Sequence, residues 1–407
     1  MASGEAAAAV ENAPVSDTGA ERKRLSVLGA TGSIGDSTLD LVARNPERFE
    51  IVALTAQSNA GKLAELAIRH RARIAVVGDE ASYGELKERL AGTGITAAAG
   101  RAALVEAAAE PADCIMAAIV GAAGLEPTFK ALEQGSRVAL ANKECLVSAG
   151  EVFMAEVERT GSELLPVDSE HSAGFQALGA NAAHDIEQIV LTASGGPFRT
   201  WSLEQIRAAT PEQALKHPNW SMGAKITIDS ASLMNKGLEL IEAYHLFPVE
   251  AAQLDCVVHP QSIVHCLVTY RDGSVLAQLS CPDMRTPIAL SLAWPRRMQA
   301  PTDRLDLVKA SPLTFEAPDE TRFPALKVAK EALARGGAAP AVLNAANEIA
   351  VAAFLQKRIG FLEIARVVRE TLELADARGL LASCSQLSDV LAVDAEGRRL
   401  AETRLDA

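Results

Sequence analysis

The sequence predicts an α/β chain in three parts: an N-terminal doubly wound parallel-sheet domain, a central α+β domain and a C-terminal helical bundle. Three observations carry this reading. Short apolar runs at 24–28, 49–54, 74–77, 114–120, 138–141 and 164–167 alternate with segments of helical spacing, the pattern of parallel strands covered on both faces. The character then changes to strand-like runs at 190–193, 253–258, 263–270 and 274–279, the last two flanking Arg271-Asp272-Gly273, a hairpin signal that points to antiparallel pairing. From Phe323 onward, Ala- and Leu-rich helical periodicity dominates, with Gly336-Gly337 and Gly360 as breaks. The expected boundaries are a disordered tail at 1–22, the doubly wound domain at 23–168, the α+β domain at 169–293, a Pro-, Arg- and Asp-rich linker at 294–318 and the helical domain at 319–407.

Composition narrows the function classes. No apolar run reaches the roughly 18 residues of a membrane helix. The formal net charge of −13 argues against nonspecific nucleic-acid binding and favours a small substrate, which can still be anionic if its site is locally basic. The six cysteines form no C-x-x-C pair and sit mostly in apolar runs, so reduced, buried thiols are expected, as in a cytoplasmic protein. The Ala-rich start carries Glu5, Glu11 and Asp17 and lacks both the apolar core of a secretion signal and the acid-poor character of a transit peptide.

The first apolar run leads into Gly29-Ala30-Thr31-Gly32-Ser33-Ile34-Gly35 and then a helical segment. Glycines let the backbone approach a pyrophosphate, and the helix N-terminus adds free N–H groups and partial positive charge. Set in a strand–loop–helix unit, this variant spacing reads as a Rossmann-like dinucleotide loop. The second strand leads to Gln57, Ser58 and Asn59 and lacks the acid that would bond a ribose 2′-hydroxyl, which favours NADPH over NADH. The usual arginine is missing too, and Lys62 is the cation able to reach in from the next helix.

Further along, Asp168 and Glu170 lie two apart in a segment expected to be extended, so both point to one side. Two hard oxygen ligands suit Mg²⁺ or Mn²⁺, although alone this pair reads better as a solvated acidic turn. Residues 230–239 look helical, with Asn235 and Glu239 on one face, so Glu239 can complete a three-carboxylate site while Ser230, Asn235 and Lys236 cradle a phosphate. Gly237 costs a helix roughly 1 kcal/mol against Ala, which suggests close approach of a ligand or another backbone. Ser194-Gly195-Gly196 ends a strand and can bind an anion through its hydroxyl and N–H groups. His217 to Gly223, with Trp220, reads as a lid that excludes water. Asn142-Lys143-Glu144 follows a strand at the edge where ligands sit in such sheets, and Lys143 can neutralise charge on a substrate oxygen. His259 and His265 lie near the antiparallel strands, where a histidine is more often a satisfied core residue than a catalyst.

Taken together, GATGSIG (29–35), AIVGAAGL (118–125), ANKE (141–144), PVDSEHSA (166–173), LTASGGPF (191–198), HPNWSMG (217–223), TIDSASLMNKGLE (227–239), HPQSIVH (259–265), PDMRTPIAL (282–290) and NAANE (344–348) closely resemble the 1-deoxy-D-xylulose 5-phosphate reductoisomerase family of the non-mevalonate isoprenoid pathway. The resemblance runs from about Arg24 to the C-terminus. It implies conversion of the keto-sugar phosphate to 2-C-methyl-D-erythritol 4-phosphate, by skeletal rearrangement to an aldehyde and then reduction by NADPH. It implies Mn²⁺, Mg²⁺ or Co²⁺ held by Asp168, Glu170 and Glu239, and phosphate held by Ser194, Ser230, Asn235 and Lys236. Lys143, Ser169, Glu170, His217 and Glu239 would meet the sugar under Trp220; of these Lys143, Glu170, His217 and Glu239 are the candidate catalytic residues, with His265. The cofactor would lie on Thr31, Gly32, Ser33, Ile34, Gln57, Ser58, Asn59, Asn142, Glu144 and Gly223. One departure stands at Gln57-Ser58, where many members carry Gly followed by Lys or Arg, so selectivity for the 2′-phosphate is expected to be weaker. NAANE, in the helical region, is expected to be structural. The family also implies a homodimer. The rival readings are another NADPH-dependent sugar-phosphate or aldehyde reductase and a noncatalytic dinucleotide sensor; neither needs three carboxylates beside a lysine.

Overall fold

The computed structural model describes residues 22–179, 183–220 and 222–405; all of the expected tail but Arg22 lies outside them. Strands β1 (Lys23–Leu28), β2 (Phe49–Ala56), β3 (Ile74–Val77), β4 (Thr96–Ala99), β5 (Cys114–Ala117), β6 (Arg137–Leu140) and β7 (Glu163–Pro166) form one sheet in the order β4-β3-β2-β1-β5-β6-β7, parallel throughout. Strand β4, Thr-Ala-Ala-Ala, was not foreseen, because four small residues carry neither β-branched apolar weight nor alternation. The chain winds outward from β1 to β4 and returns to start β5 beside β1. The reversal makes a crevice at the carboxyl ends of β1 and β5, where ligands bind in sheets of this kind.

The second sheet is built from β8 (Ile186–Ala193), β9 (Leu254–Val258), β10 (Val264–Tyr270) and β11 (Val275–Leu279) in the order β11-β10-β8-β9. The hairpin β10–β11 turns at Asp272-Gly273 as expected, with Gly273 N–H donating to Tyr270 O and the Asp272 carboxylate accepting from Ser274 N–H. The expectation of antiparallel pairing throughout is corrected at β9, which runs parallel to β8. The physical reason is the connection: β8 and β9 are separated by five helices, long enough for a crossover, whereas a two-residue turn permits only antiparallel pairing.

The C-terminal helices are Pro324–Arg335, Ala339–Leu355, Glu363–Ala377 and Leu387–Leu405. They share one continuous core with the second sheet, in which Leu191, Leu238 and Ile241 pack with Val342, Leu343 and Phe354. Helix Arg285–Ala293 crosses the other way, placing Ile288 and Leu292 in the core of the parallel sheet. The stretch 294–318 holds a short helix, Leu307–Ala310, and Glu316 pairs with Val258 on the edge of β9. No helix among the described residues is long and apolar enough to cross a membrane.

Gly237 is explained by packing. A Cβ there would lie 2.3 Å from the Ala329 Cβ of helix Pro324–Arg335, so the glycine lets two helices touch, not a ligand. Gly237→Ala should therefore destabilise by about 1–3 kcal/mol from overpacking, outweighing the roughly 1 kcal/mol gained in helix propensity. The double variant with Ala329→Gly should recover most of the loss in denaturant unfolding, and additive losses would show that the contact is not the cause.

His245 lies against Gly150 of helix Glu144–Thr160, and burial pushes its pKa from 6.5 down to about 4. Between those values the unfolded chain binds the extra proton, so stability is full above about 6.5 and falls as pH drops toward 4. Melting curves across this range should show a shallower acid decline for His245→Gln than for the parent.

Candidate active site

Two strand ends and one helix build the centre. Lys143 follows β6 and stands at the N-terminus of helix Glu144–Thr160. Asp168 follows β7 as the N-cap of helix Ser169–Leu178, with Glu170 in its first turn. The segment is thus not extended as expected; the two acids converge because a strand end turns directly into a helix. Helix Met234–Leu246 contributes Asn235, Lys236 and Glu239. The helix expected over 230–239 is in fact broken at Leu233, whose φ of 61° is left-handed, so Ser230 belongs to a separate helix, Ala224–Ser232. A leucine held in that region is strained, and such strain collects at functional sites.

Oxygens of Asp168, Glu170 and Glu239 all lie within 4.8 Å of one another. Lys143 Nζ lies 2.6 Å from Asp168 Oδ2 and 2.8 Å from Glu239 Oε1, and it donates to Asn235 Oδ1 at 2.8 Å. Lys236 Nζ contacts Glu239 and lies 3.5 Å from Glu170 Oε1. Both lysines are buried, yet their pKa values are raised: burial disfavours the ammonium, and the facing carboxylates overcome it. Burial likewise opposes ionisation of Asp168, but the Lys143 charge holds its carboxyl below the usual range. Glu170 goes the other way, pushed up to about 8 by burial and by the charges of Glu239 and Asp168, against the pull of Lys236. Three hard oxygen donors this close, with one carboxyl reluctant to ionise beside the others, fit a divalent cation that would relieve their repulsion. Beneath them, His171 Nε2–H donates to Glu239 O at 2.8 Å, and its Nδ1 lies 3.2 Å from Glu242.

A second group lies across the cleft. Ser194 follows β8, and its turn abuts helix Ala224–Ser232, where a Cβ on Gly196 would meet Ser230 O at 2.8 Å. His217 Nδ1 accepts from Asn219 N–H and Trp220 N–H, which leaves Nε2–H to donate to Ser194 Oγ at 2.9 Å. Burial pushes His217 down to about 4, consistent with this neutral tautomer. Ser169 donates to Glu170 at 2.7 Å. It lines one cleft with Trp220, His265 and Ser280, and His265 Nε2 lies 3.1 Å from Ser280 Oγ. His259 is a core residue, stacked on Phe315 with Nδ1 at 2.9 Å from Thr314 O. The expected phosphate ligands thus fall into two sets: Ser194 with Ser230, and Asn235 with Lys236, the latter turned onto Glu239.

The glycine loop occupies the crevice. Gly29 has φ of +89°, and a Cβ there would lie 2.4 Å from Ala118 O, so only glycine lets β1 pass this close to the loop after β5. Thr55 of β2 anchors it, accepting from Gly29 N–H and Ala30 N–H. Gly32 caps helix Ser33–Arg44 with no side-chain partner, and Thr31, Gly32, Ser33 and Ile34 leave accessible surface there. Gly32 N–H closes the turn by donating to Gly29 O, and the exposed helix start with this narrow turn fits a pyrophosphate. Asn59 is spent on capping helix Ala60–His70, and Gln57 covers Gly78. Lys62 donates to Thr31 O at 3.0 Å and pairs with Asp36, which puts an ammonium at the loop where Ser58 offers none.

Some expected cofactor residues are buried in a network the sequence did not suggest. Asn142 donates to Ile119 O and Gly121 O, and its own Oδ1 has no partner among the described residues. Glu144 pairs with Lys225 at 2.7 Å; Lys225 also reaches Asp229, which accepts from Asn347. Gly223 caps the helix that carries Lys225 and is exposed. Lys225 and Asp229 lie four apart inside TIDSASLMNKGLE and the residues before it, a spacing that offered a signal, but nothing local pointed to Asn347 as their partner.

Family models described as 1-deoxy-D-xylulose 5-phosphate reductoisomerase match residues 25–150, as its C-terminal domain residues 164–247, and as the DXP reductoisomerase C-terminal domain residues 279–400. The 1-deoxy-D-xylulose 5-phosphate reductoisomerase of Rhodospirillum centenum is 58% identical over 97% of each chain. That of Zymomonas mobilis is 56% identical over 92% of this chain and 96% of its own. Among solved structures, the Z. mobilis enzyme in complex with NADPH superposes with a TM-score of 0.89 at 52% identity, covering 95% of this chain and all of that one. A DOX-P reductoisomerase in complex with NADPH, fosmidomycin and magnesium gives 0.91 at 42% identity, covering 94% and 98%. Matched by these models over most of its length and by such relatives over nearly all of it, the chain belongs to the 1-deoxy-D-xylulose 5-phosphate reductoisomerase family.

Proposed function

We propose that the chain converts 1-deoxy-D-xylulose 5-phosphate to 2-C-methyl-D-erythritol 4-phosphate, using NADPH and a divalent metal, by skeletal rearrangement to an aldehyde and then hydride reduction. The observation that carries this is the conjunction of a dinucleotide loop with three carboxylates and two buried lysines at the same sheet edge. A plain dehydrogenase needs no such cluster. The relatives named for this activity, and the complexes with NADPH and magnesium, support the same reading.

In this reading Asp168, Glu170 and Glu239 hold Mg²⁺, Mn²⁺ or Co²⁺, which supplies Lewis-acid polarisation of the substrate oxygens. Lys143 brings fixed positive charge to the same place, oriented by Asn235. Ser194, Ser230, Asn235 and Lys236 take the phosphate. His217, neutral and donating from Nε2, aims the Ser194 hydroxyl, and Trp220 closes over the sugar with Ser169 and His265 on the walls. Thr31 to Ile34 take the pyrophosphate, and Gln57, Ser58 and Asn59 lie toward the ribose, with Lys62 as the cation at hand. Asn142, Glu144 and Gly223 shape the nicotinamide side.

A homodimer is part of the proposal. Strand β11 is a sheet edge carrying Val275 and Leu276, 51% and 47% exposed, and a bare apolar edge strand is a pairing surface. The six cysteines are free thiols, four of them buried, which supports a reducing compartment, the cytoplasm.

The deciding experiment follows NADPH absorbance with 1-deoxy-D-xylulose 5-phosphate and Mg²⁺ or Mn²⁺. NADPH should be consumed, EDTA should stop it, and restored metal should recover it. No consumption with metal present would sink the assignment, and turnover indifferent to EDTA would sink the metal role. NADH in the same assay should serve more poorly, by the missing contacts to the 2′-phosphate.

Glu239→Gln separates metal from cofactor. Its rate should fall by about 10²-fold or more, as for loss of one key electrostatic group. NADPH affinity, measured by quenching of protein fluorescence, should stay within about twofold, since among the described residues Glu239 bonds Lys143, Asn235, Lys236 and His171 and not the glycine loop. A matching loss of NADPH affinity would place Glu239 elsewhere in the mechanism.

A further inference from the structure

The motif NAANE has no part in the chemistry above, yet it reaches the cofactor crevice. Helix Ala339–Leu355 lays Glu348 beside the loop after β5, where Glu348 Oε1 accepts from Ala122 N–H at 3.1 Å. A Cβ on Gly121, whose φ is +76°, would lie 2.9 Å from that same oxygen. The loop is gripped from three sides: Glu348 holds Ala122, Asn142 holds Ile119 O and Gly121 O, and Gly29 of the glycine loop closes against Ala118. Val120, between these anchors, is 67% exposed, an apolar side chain presented at the crevice. Glu348 is itself held, by Asn344 Nδ2 at 3.1 Å on Oε1 and by Arg398 of the last helix at 2.7 Å on Oε2. Its neighbour Asn347 donates to Asp229 and so ties the same helix to Lys225 and Glu144.

We propose that Glu348 is a positioning residue for the dinucleotide: from the C-terminal helices it sets the backbone of residues 119–122, one wall of the cofactor crevice. The inference rests on the proposed use of NADPH. A carboxylate suits the task because a charge-assisted hydrogen bond is short and directional, and the opposing Arg398 holds its second oxygen in place. An unanchored loop with a glycine at its centre would sample other conformations, and each NADPH bound would have to order it again.

The test compares Glu348→Ala, Glu348→Gln and Arg398→Ala in the full chain. Glu348→Ala should raise both KM and Kd for NADPH by about tenfold, as for loss of one hydrogen bond to a charged acceptor, with KM for the sugar phosphate within about twofold. Glu348→Gln keeps an acceptor oxygen and should restore most of the NADPH affinity. Arg398→Ala leaves Oε1 held by Asn344 and should lower Tm, with a rise in NADPH KM well below that of Glu348→Ala. If Glu348→Ala does not fold, Glu348→Met fills the space without an acceptor and carries the same expectation. An unchanged NADPH Kd, a Gln variant as weak as the Ala variant, or an Arg398→Ala variant with an equal NADPH defect would each overturn the proposal. Because Kd is read by fluorescence without turnover, failure of the proposed reaction and failure of this inference are distinguishable.

Discussion

Charge balance in a buried cluster is the constraint on which the rest depends. Asp168, Glu170 and Glu239 sit close enough to repel one another, in a largely buried place where water screens them poorly. Lys143 and Lys236, both buried, make the arrangement tolerable, and each would be untenable without the acids. Removing one partner from such a buried pair costs about 3–5 kcal/mol, so the five groups stand or fall together. The imbalance that remains is chemically useful. Glu170, pushed up to about 8, marks a spot where one more positive charge would be favoured, as a divalent cation would provide.

The fold exists to bring those groups to one point. Lys143 and Asp168 come from the ends of adjacent parallel strands, Glu239 from a helix that begins after the break at Leu233. The parallel sheet gives the site its floor because strand ends and helix starts gather on one edge. The C-terminal helices share a core with the second sheet and hold helix Met234–Leu246 through the close contact at Gly237. They also send Asn347 to Asp229 of helix Ala224–Ser232 and Glu348 to Ala122 in the loop after β5, so a region far from the chemistry in sequence touches both.

Most of the strands and the three-part organisation were legible in the chain, because alternation of apolar runs and helical spacing is a local signal. Strand β4 was not, since alanines leave no such signal, and the parallel pairing of β9 depends on a long connection that periodicity does not encode. Among site residues, the acids and lysines were legible as residue types at suggestive spacing. The convergence of Asp168 and Glu170 was right for the wrong geometric reason, a helix cap in place of an extended strand.

By itself the sequence determined the chemistry available: a glycine loop between a strand and a helix, three carboxylates, two lysines, and enough ordered motifs to fix the family. Tertiary structure decided how these groups are used. It showed Asn142, Glu144 and Asn59 engaged in holding backbone and partners, Lys62 standing at the glycine loop in place of the cation missing at Ser58, and Glu348 reaching back across more than half the chain to Ala122. The reason is distance. Spacing along a chain reports neighbours within a helix or strand, whereas these contacts join residues from different elements, and only packing brings them within a hydrogen bond of each other.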